Sequence, residues 1–293
     1  MSKFSSRLGS VLVSALTAAF SIIVPVAAEQ IPQLMRVVKG ADGGELQVPV
    51  IRYVGPKGVR VDFVGAVHLG EPAYYSGLNK RFERYEAVLF ELVSEGEFPR
   101  PGSGERRDST LGLVQRKMSE FLGLQFQLDG IDYSKRTFVH ADMSPDELMN
   151  AMKARGESIP QILLKLLKLS MRPDLRKQFE EIESNALGDV NPVMILLRGS
   201  TTEAEARALR RYLAHGLTAS DDLLMAMEGT EGLSITTDRN AVVAKKLREQ
   251  LALGRKKLAI FYGVGHLPDL HRRLLSEFGL RVDGIEWVRA WGM

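Results

Sequence analysis

Two stretches without a polar interruption, Val88-Leu89-Phe90 and Leu258-Ala259-Ile260-Phe261-Tyr262, limit the folds open to this chain more than any other feature. A strand with one wet face alternates polar and apolar residues, so a continuous apolar run reads as a strand covered on both faces, as in parallel sheets flanked by helices. The strand-like pieces cover residues 46–53, 59–67, 87–92, 137–141, 257–264 and 280–291, and helical patterns separate them. Segments 47–53 and 59–63 flank a Gly55-Pro56-Lys57-Gly58 turn and predict an antiparallel hairpin at the start of the domain. The fold class expected is α/β, with a mostly parallel central sheet, flanking helices and a helical insertion.

Apolar residues at spacings near three and four mark the helices. They are Leu111, Val114, Met118 and Phe121; then Leu148, Met149 and Met152; then Ile159, Ile162, Leu163, Leu166 and Leu167. Ser144-Pro145-Asp146-Glu147 reads as a helix start, with Ser144 as cap and Glu147 completing a capping box. A Met- and Leu-rich helical excursion runs from Ser144 to about Glu228, either as a lid over the strand ends or as a stack of core helices. The polar loop at 95–108, with Pro99, Pro101, Gly102 and Gly104, has the composition of a mobile segment near the sheet rim.

The first 28 residues read as a secretory signal: Lys3 and Arg7, an uncharged apolar stretch from Leu8 to Val24, then the small residues Val26-Ala27-Ala28. The other reading is an uncleaved anchor through residues 8–26, close to the roughly 18 residues of a minimal membrane helix. Pro25 and the small-residue site favour cleavage, which leaves residues 29–293 as one domain in the periplasm or outside the cell. Membrane contact is expected only if the segment stays. Removing it takes the formal charge from +3 to +1. Without a basic block interleaved with aromatics, a nucleic-acid partner is not expected. Cysteine is absent, which excludes disulfides, thiolate ligands and a cysteine nucleophile.

The chemistry-bearing feature is a rhyme. Gly65-Ala66-Val67-His68 and Gly263-Val264-Gly265-His266 each end an apolar run, and each precedes a proline, Pro72 or Pro268, that can open a helix. Ligand sites of open α/β sheets lie at the carboxyl ends of strands, so the two histidines are candidate metal ligands or proton carriers. The positive end of each following helix disfavours imidazolium. Glu91 closes the Val-Leu-Phe run, where a charged carboxylate requires a partner or a metal. His68, Glu91 and His266 therefore form an expected ligand set for a borderline divalent cation such as Mn, Co or Zn. Gly65 and Gly263 allow close backbone approach beneath it or serve packing alone. His140 and Asp142, at another strand end, are expected support residues. Thr236-Thr237-Asp238-Arg239-Asn240 reads as a helix start capped by Thr237 or Asp238. Arg239 would then sit in the first turn, where a cation is tolerated best if it reaches an anion such as Glu91 or a developing oxyanion. There is no HExxH helix and no GxSxG elbow.

The first Gly-x-x-His, the Tyr85-Glu86-Ala87-Val88-Leu89-Phe90-Glu91-Leu92 run, Asp238-Arg239-Asn240 and the closing Gly-x-x-His resemble, in that order, the TraB/PrgY/GumN family, which includes the TIKI metalloproteases. The likeness spans about residues 50–275, and its specificity resides in those four stretches. The resemblance implies an EreA/ChaN-like core and divalent-metal-dependent peptide hydrolysis. It places His68, Glu91 and His266 on the metal and Arg239 with Asn240 on the family's Arg-Asn pair. The middle of the chain, including Phe138 to Asp142, matches loosely, so the substrate is not transferred. The expected activity is an exported metal-dependent hydrolase of peptide bonds. Its rival is a non-catalytic envelope protein that binds iron or haem or sequesters a signalling peptide.

Overall fold

Parallel pairing occurs where the uninterrupted runs predict it. The computed structural model describes residues 31–40, 43–95, 117–158, 160–161, 172–219 and 234–293. Their strands are β1 (Arg36–Val38), β2 (Glu45–Val54), β3 (Arg60–Ala66), β4 (Leu69–Gly70), β5 (Ala87–Phe90), β6 (Gln125–Phe126), β7 (Phe138–His140), β8 (Lys257–Gly263) and β9 (Arg281–Gly292). The helices are α1 (Pro72–Phe82), α2 (Gln127–Gly130), α3 (Pro145–Ala154), α4 (Pro173–Leu187), α5 (Pro192–Arg198), α6 (Glu203–Ala219), α7 (Ser234–Ala252) and α8 (Leu267–Ser276). Pro32–Met293 forms one compact unit. The expected signal or anchor at 1–28, the loop beyond Glu95, and the apolar positions Leu111, Val114, Ile159 and 162–167 lie outside the described residues. No helix among the described residues is long and apolar enough to cross a membrane.

The main sheet runs β1-β2-β3-β8-β5-β7, with β9 on the other edge of β2. Its centre, β3-β8-β5-β7, is parallel, while β1, β2 and β9 pair antiparallel on one side. The predicted hairpin is β2 and β3, with Val50 opposite Val64 and Val54 opposite Arg60. Sequence reading did not anticipate β1, β4 or β6, which are too short to carry a periodic signal.

β8 lies between β3 and β5, and residues Leu258 to Tyr262 are all buried. Aromatic contacts lock the layer above it: Phe82 of α1 meets Phe261 at 4.9 Å and Phe138 at 5.4 Å between ring centroids. Phe82 and Phe261, both fully buried, each contribute about 1.5–3 kcal/mol from apolar burial. Tyr74 and Tyr75 of α1 donate to the carbonyls of Gly65 and Val67, at 3.0 and 3.1 Å, and so pin the end of β3.

Strand order decides where a site can form. From β5 the chain moves outward to β7, whereas from β8 it passes through α8 to β9 on the opposite side of the sheet. Connections diverging from neighbouring parallel strands open a crevice at their carboxyl ends, here between β5 and β8. Glu91 follows β5, and Gly263 ends β8.

Candidate active site

Each side chain reaches this crevice by a different route. The ladder continues one residue past β5, as the Glu91 amide donates to the Phe261 carbonyl at 3.2 Å, so the Glu91 carboxylate stands at the crevice floor. A turn of 3-10 helix, Val264–His266, leads from β8 into α8 and makes His266 the residue preceding that helix. α7 crosses beside it and supplies Arg239 and Asn240. Asp142 follows β7 and is held by its neighbour, Met143, whose amide donates to Oδ1 at 2.8 Å.

Arg239 is the hub. Its Nε and Nη2 donate to Oδ1 and Oδ2 of Asp142 at 2.8 and 2.6 Å, a two-pronged pairing, and Nη2 also donates to Glu91 Oε1 at 2.7 Å. The side chains of Arg239 and Asp142 are 9% and 0% exposed. Burial on this scale makes the mutual neutralisation obligatory, because an unpaired buried charge costs several kcal/mol. The expectation that Arg239 seeks Glu91 is met, but the helix start is not where the sequence suggested. α7 spans Ser234–Ala252, which puts Arg239 in its second turn, where the dipole penalty has faded. Asp238, expected as a cap, instead pairs with Arg155 at the end of α3 at 2.7 Å. The capping box at Ser144 and Glu147 forms as predicted.

A polar chain fixes His266. Arg273 Nε donates to Asp269 Oδ2 at 2.7 Å, and Asn240 Nδ2 donates to the same oxygen at 3.0 Å. The amide of Asn240 thereby turns its oxygen to His266 Nδ1, 2.7 Å away, which makes Nδ1 the donor. Nε2 is left facing Arg239 Nη1 at 3.3 Å and Glu91 Oε1 at 3.5 Å. It stands between a donor and an acceptor. Tyr262 packs edge-on against the ring at 5.0 Å and donates its hydroxyl to the Ala141 carbonyl at 2.6 Å.

Glu91 is ionised well below the usual carboxylate range. Burial acts to raise its pKa, but His266, Arg239 and the Gly263 amide, which donates to Oε2 at 2.7 Å, more than offset it. The folded protein thus binds this proton more weakly than the unfolded chain, so the stability Glu91 confers is present near neutrality. It is lost as pH falls from about 4.3 toward the lower folded value. The unfolding free-energy difference between wild type and Glu91→Gln, measured by urea titration, is expected to shrink as pH drops from about 5 to 3. A difference independent of pH would contradict the assignment.

The two glycines differ in purpose. A Cβ on Gly263 would lie 3.1 Å from Glu91 Oε2, so this glycine keeps room for the carboxylate. A Cβ on Gly65 would meet Val264 Cγ1 at 2.8 Å and the Pro49 carbonyl at 3.0 Å, so that position serves strand packing. Gly65→Ala is expected to cost about 1–3 kcal/mol from overpacking, read as a lowered Tm, and Gly263→Ala less.

The structure brings Glu91, His266, Arg239, Asn240 and Asp142 together, and leaves two expected members apart. His68 lies two residues past the end of β3 and is exposed, its carbonyl held by the Gln127 amide at 2.9 Å. Among the described residues, no three His, Asp or Glu side chains are arranged to hold a metal ion. His140 donates from Nε2 to the Leu92 carbonyl at 2.6 Å, which braces the chain after Glu91. Asp269, Arg273 and Tyr262 were not anticipated. The signal for the first two was an Asp-x-x-x-Arg spacing in the first turns of the helix after His266. No family model matches this chain, and no curated protein or solved structure matches it.

Proposed function

We propose that this protein is an exported, metal-dependent hydrolase of peptide bonds working at the β5/β8 crevice. The observation that carries the reading is the close approach of His266 Nε2 and Glu91 Oε1, 3.5 Å apart. An imidazole nitrogen and a carboxylate oxygen at that distance need a proton or another positive charge between them. Arg239 supplies one such charge, and a divalent cation fits the same requirement, since imidazole nitrogen and carboxylate oxygen are ligands that Mn, Co and Zn accept. The Asp269-Asn240-His266 chain orients the ring as outer-sphere partners of metal-bound histidines do. His68, expected as a third ligand, lies on the neighbouring strand end apart from this pair, so His266 and Glu91 would hold the cation. The short motifs that resemble the TraB/PrgY/GumN family, with its EreA/ChaN-like core, point the same way.

When bound, such a cation polarises a carbonyl and acidifies water. The chain's own groups carry the remaining tasks. Glu91, next to Nε2, is placed to take a proton from attacking water. His266 can pass a proton across the crevice, with Asn240 holding its ring. Arg239 meets negative charge developing on the substrate, and Asp142 keeps its guanidinium plane fixed.

The test is cleavage of a peptide library by purified protein, alone and with Mn, Co or Zn, for wild type, His266→Ala and Glu91→Ala, with metal content measured in parallel. Metal-stimulated cleavage lost in both variants is the expected result. Stoichiometric metal or haem without cleavage, in a folded protein, would replace the hydrolase by a binding module.

A further inference from the structure

Next to the polar crevice lies an apolar cavity of about 250 Å³. Its walls include Met35, Leu213, Leu217, Val264 and Trp291, with His68 as the ionisable side chain lining it. Leu213 and Leu217, one helical turn apart, face it from α6. α6 is held to the sheet there, since Trp291 Nε1 donates to the Arg210 carbonyl at 3.3 Å. The cavity shares a wall with the proposed catalytic groups: Gly263, Val264 and Gly265 line it, while the Gly263 amide binds Glu91 and the same segment ends at His266.

The geometry points to this cavity as the receptor for one bulky apolar side chain of the substrate, set beside the bond to be cleaved. This rests on the hydrolase reading for its position relative to the chemistry. Size selects the occupant. An apolar cavity of about 150 Å³ already admits benzene, so about 250 Å³ holds a Leu, Met or Phe side chain. It falls short of the roughly 300–1,000 Å³ of sites that enclose a whole small ligand. The substrate class is therefore a peptide with a large aliphatic or aromatic residue, its backbone lying across the mouth by His68.

Trp291 reports occupancy without turnover. The chain has two tryptophans, Trp287 and Trp291, so a Trp287→Phe background leaves only the one in the cavity wall. In that background and with Glu91→Gln added, titration with N-acetyl-leucinamide is expected to change the emission at a concentration at least about tenfold below N-acetyl-alaninamide. Leu217→Phe, which fills the cavity, is expected to abolish the difference. Leu217→Ala, which enlarges it, is expected to shift preference toward N-acetyl-phenylalaninamide. Melting curves confirm that each variant folds. Equal responses to the alanine and leucine amides, or a preference that survives Leu217→Phe, overturn the proposal. A response to decanoate without one to the amides overturns the peptide assignment in favour of an acyl chain. If binding follows expectation but no peptide is cleaved, the cavity stands and the hydrolase reading fails.

Discussion

Arg239→Met is expected to destabilise the protein by about 3–5 kcal/mol, because it strands two buried carboxylates without their counter-charge. Asp142 has no exposed side-chain surface and loses both its prongs, while Glu91 loses its 2.7 Å partner. The cost comes from the carboxylates left behind, so the double variant Arg239→Met/Asp142→Asn is expected to recover much of it. Arg239→Lys keeps the charge but lacks the fork, and is expected to fall between the two. Urea unfolding at neutral pH measures all four proteins. A single variant within about 1 kcal/mol of wild type would mean that the carboxylates find other partners, and the hub described for Arg239 would be wrong.

Glu91→Gln is expected to lower kcat/KM for peptide cleavage by about 10²–10⁴, the range for loss of a positioned proton acceptor. The amide retains an oxygen for the Gly263 N–H and nearly the same volume, so the fold is expected to survive. On the hydrolase proposal the loss should appear in kcat more than in KM, since the group would act on water in the transition state. Activity within threefold of wild type would remove Glu91 from the chemistry and leave it a structural partner of Arg239.

Glu91 and Arg239 also show how differently two site residues can be read from a sequence. Glu91 was legible because a carboxylate directly after Val88-Leu89-Phe90 has to be compensated wherever the strand lies. Arg239 was legible only as a cation in search of an anion. Its main partner, Asp142, sits 97 positions away, and nothing local links them. The helix start around it was misplaced because Thr237 and Asp238 have the chemistry of caps, yet Asp238 is engaged by Arg155 across the interface of α3 and α7. Likewise His140 and Asp142, close in sequence, serve different neighbours.

The sequence by itself determined the covered strands, the hairpin, the capping box at Ser144 and a rim carrying His68, Glu91, Asp142 and His266, because side-chain periodicity and turn chemistry are local properties. The tertiary structure alone decided which of those residues meet. Inserting β8 between β3 and β5 sets Glu91 beside His266, and the neighbouring α7 delivers Arg239 and Asn240 to the pair, while His68 faces the apolar cavity instead. Strand order arises from how whole layers bury their surface, and no short stretch of chain encodes it.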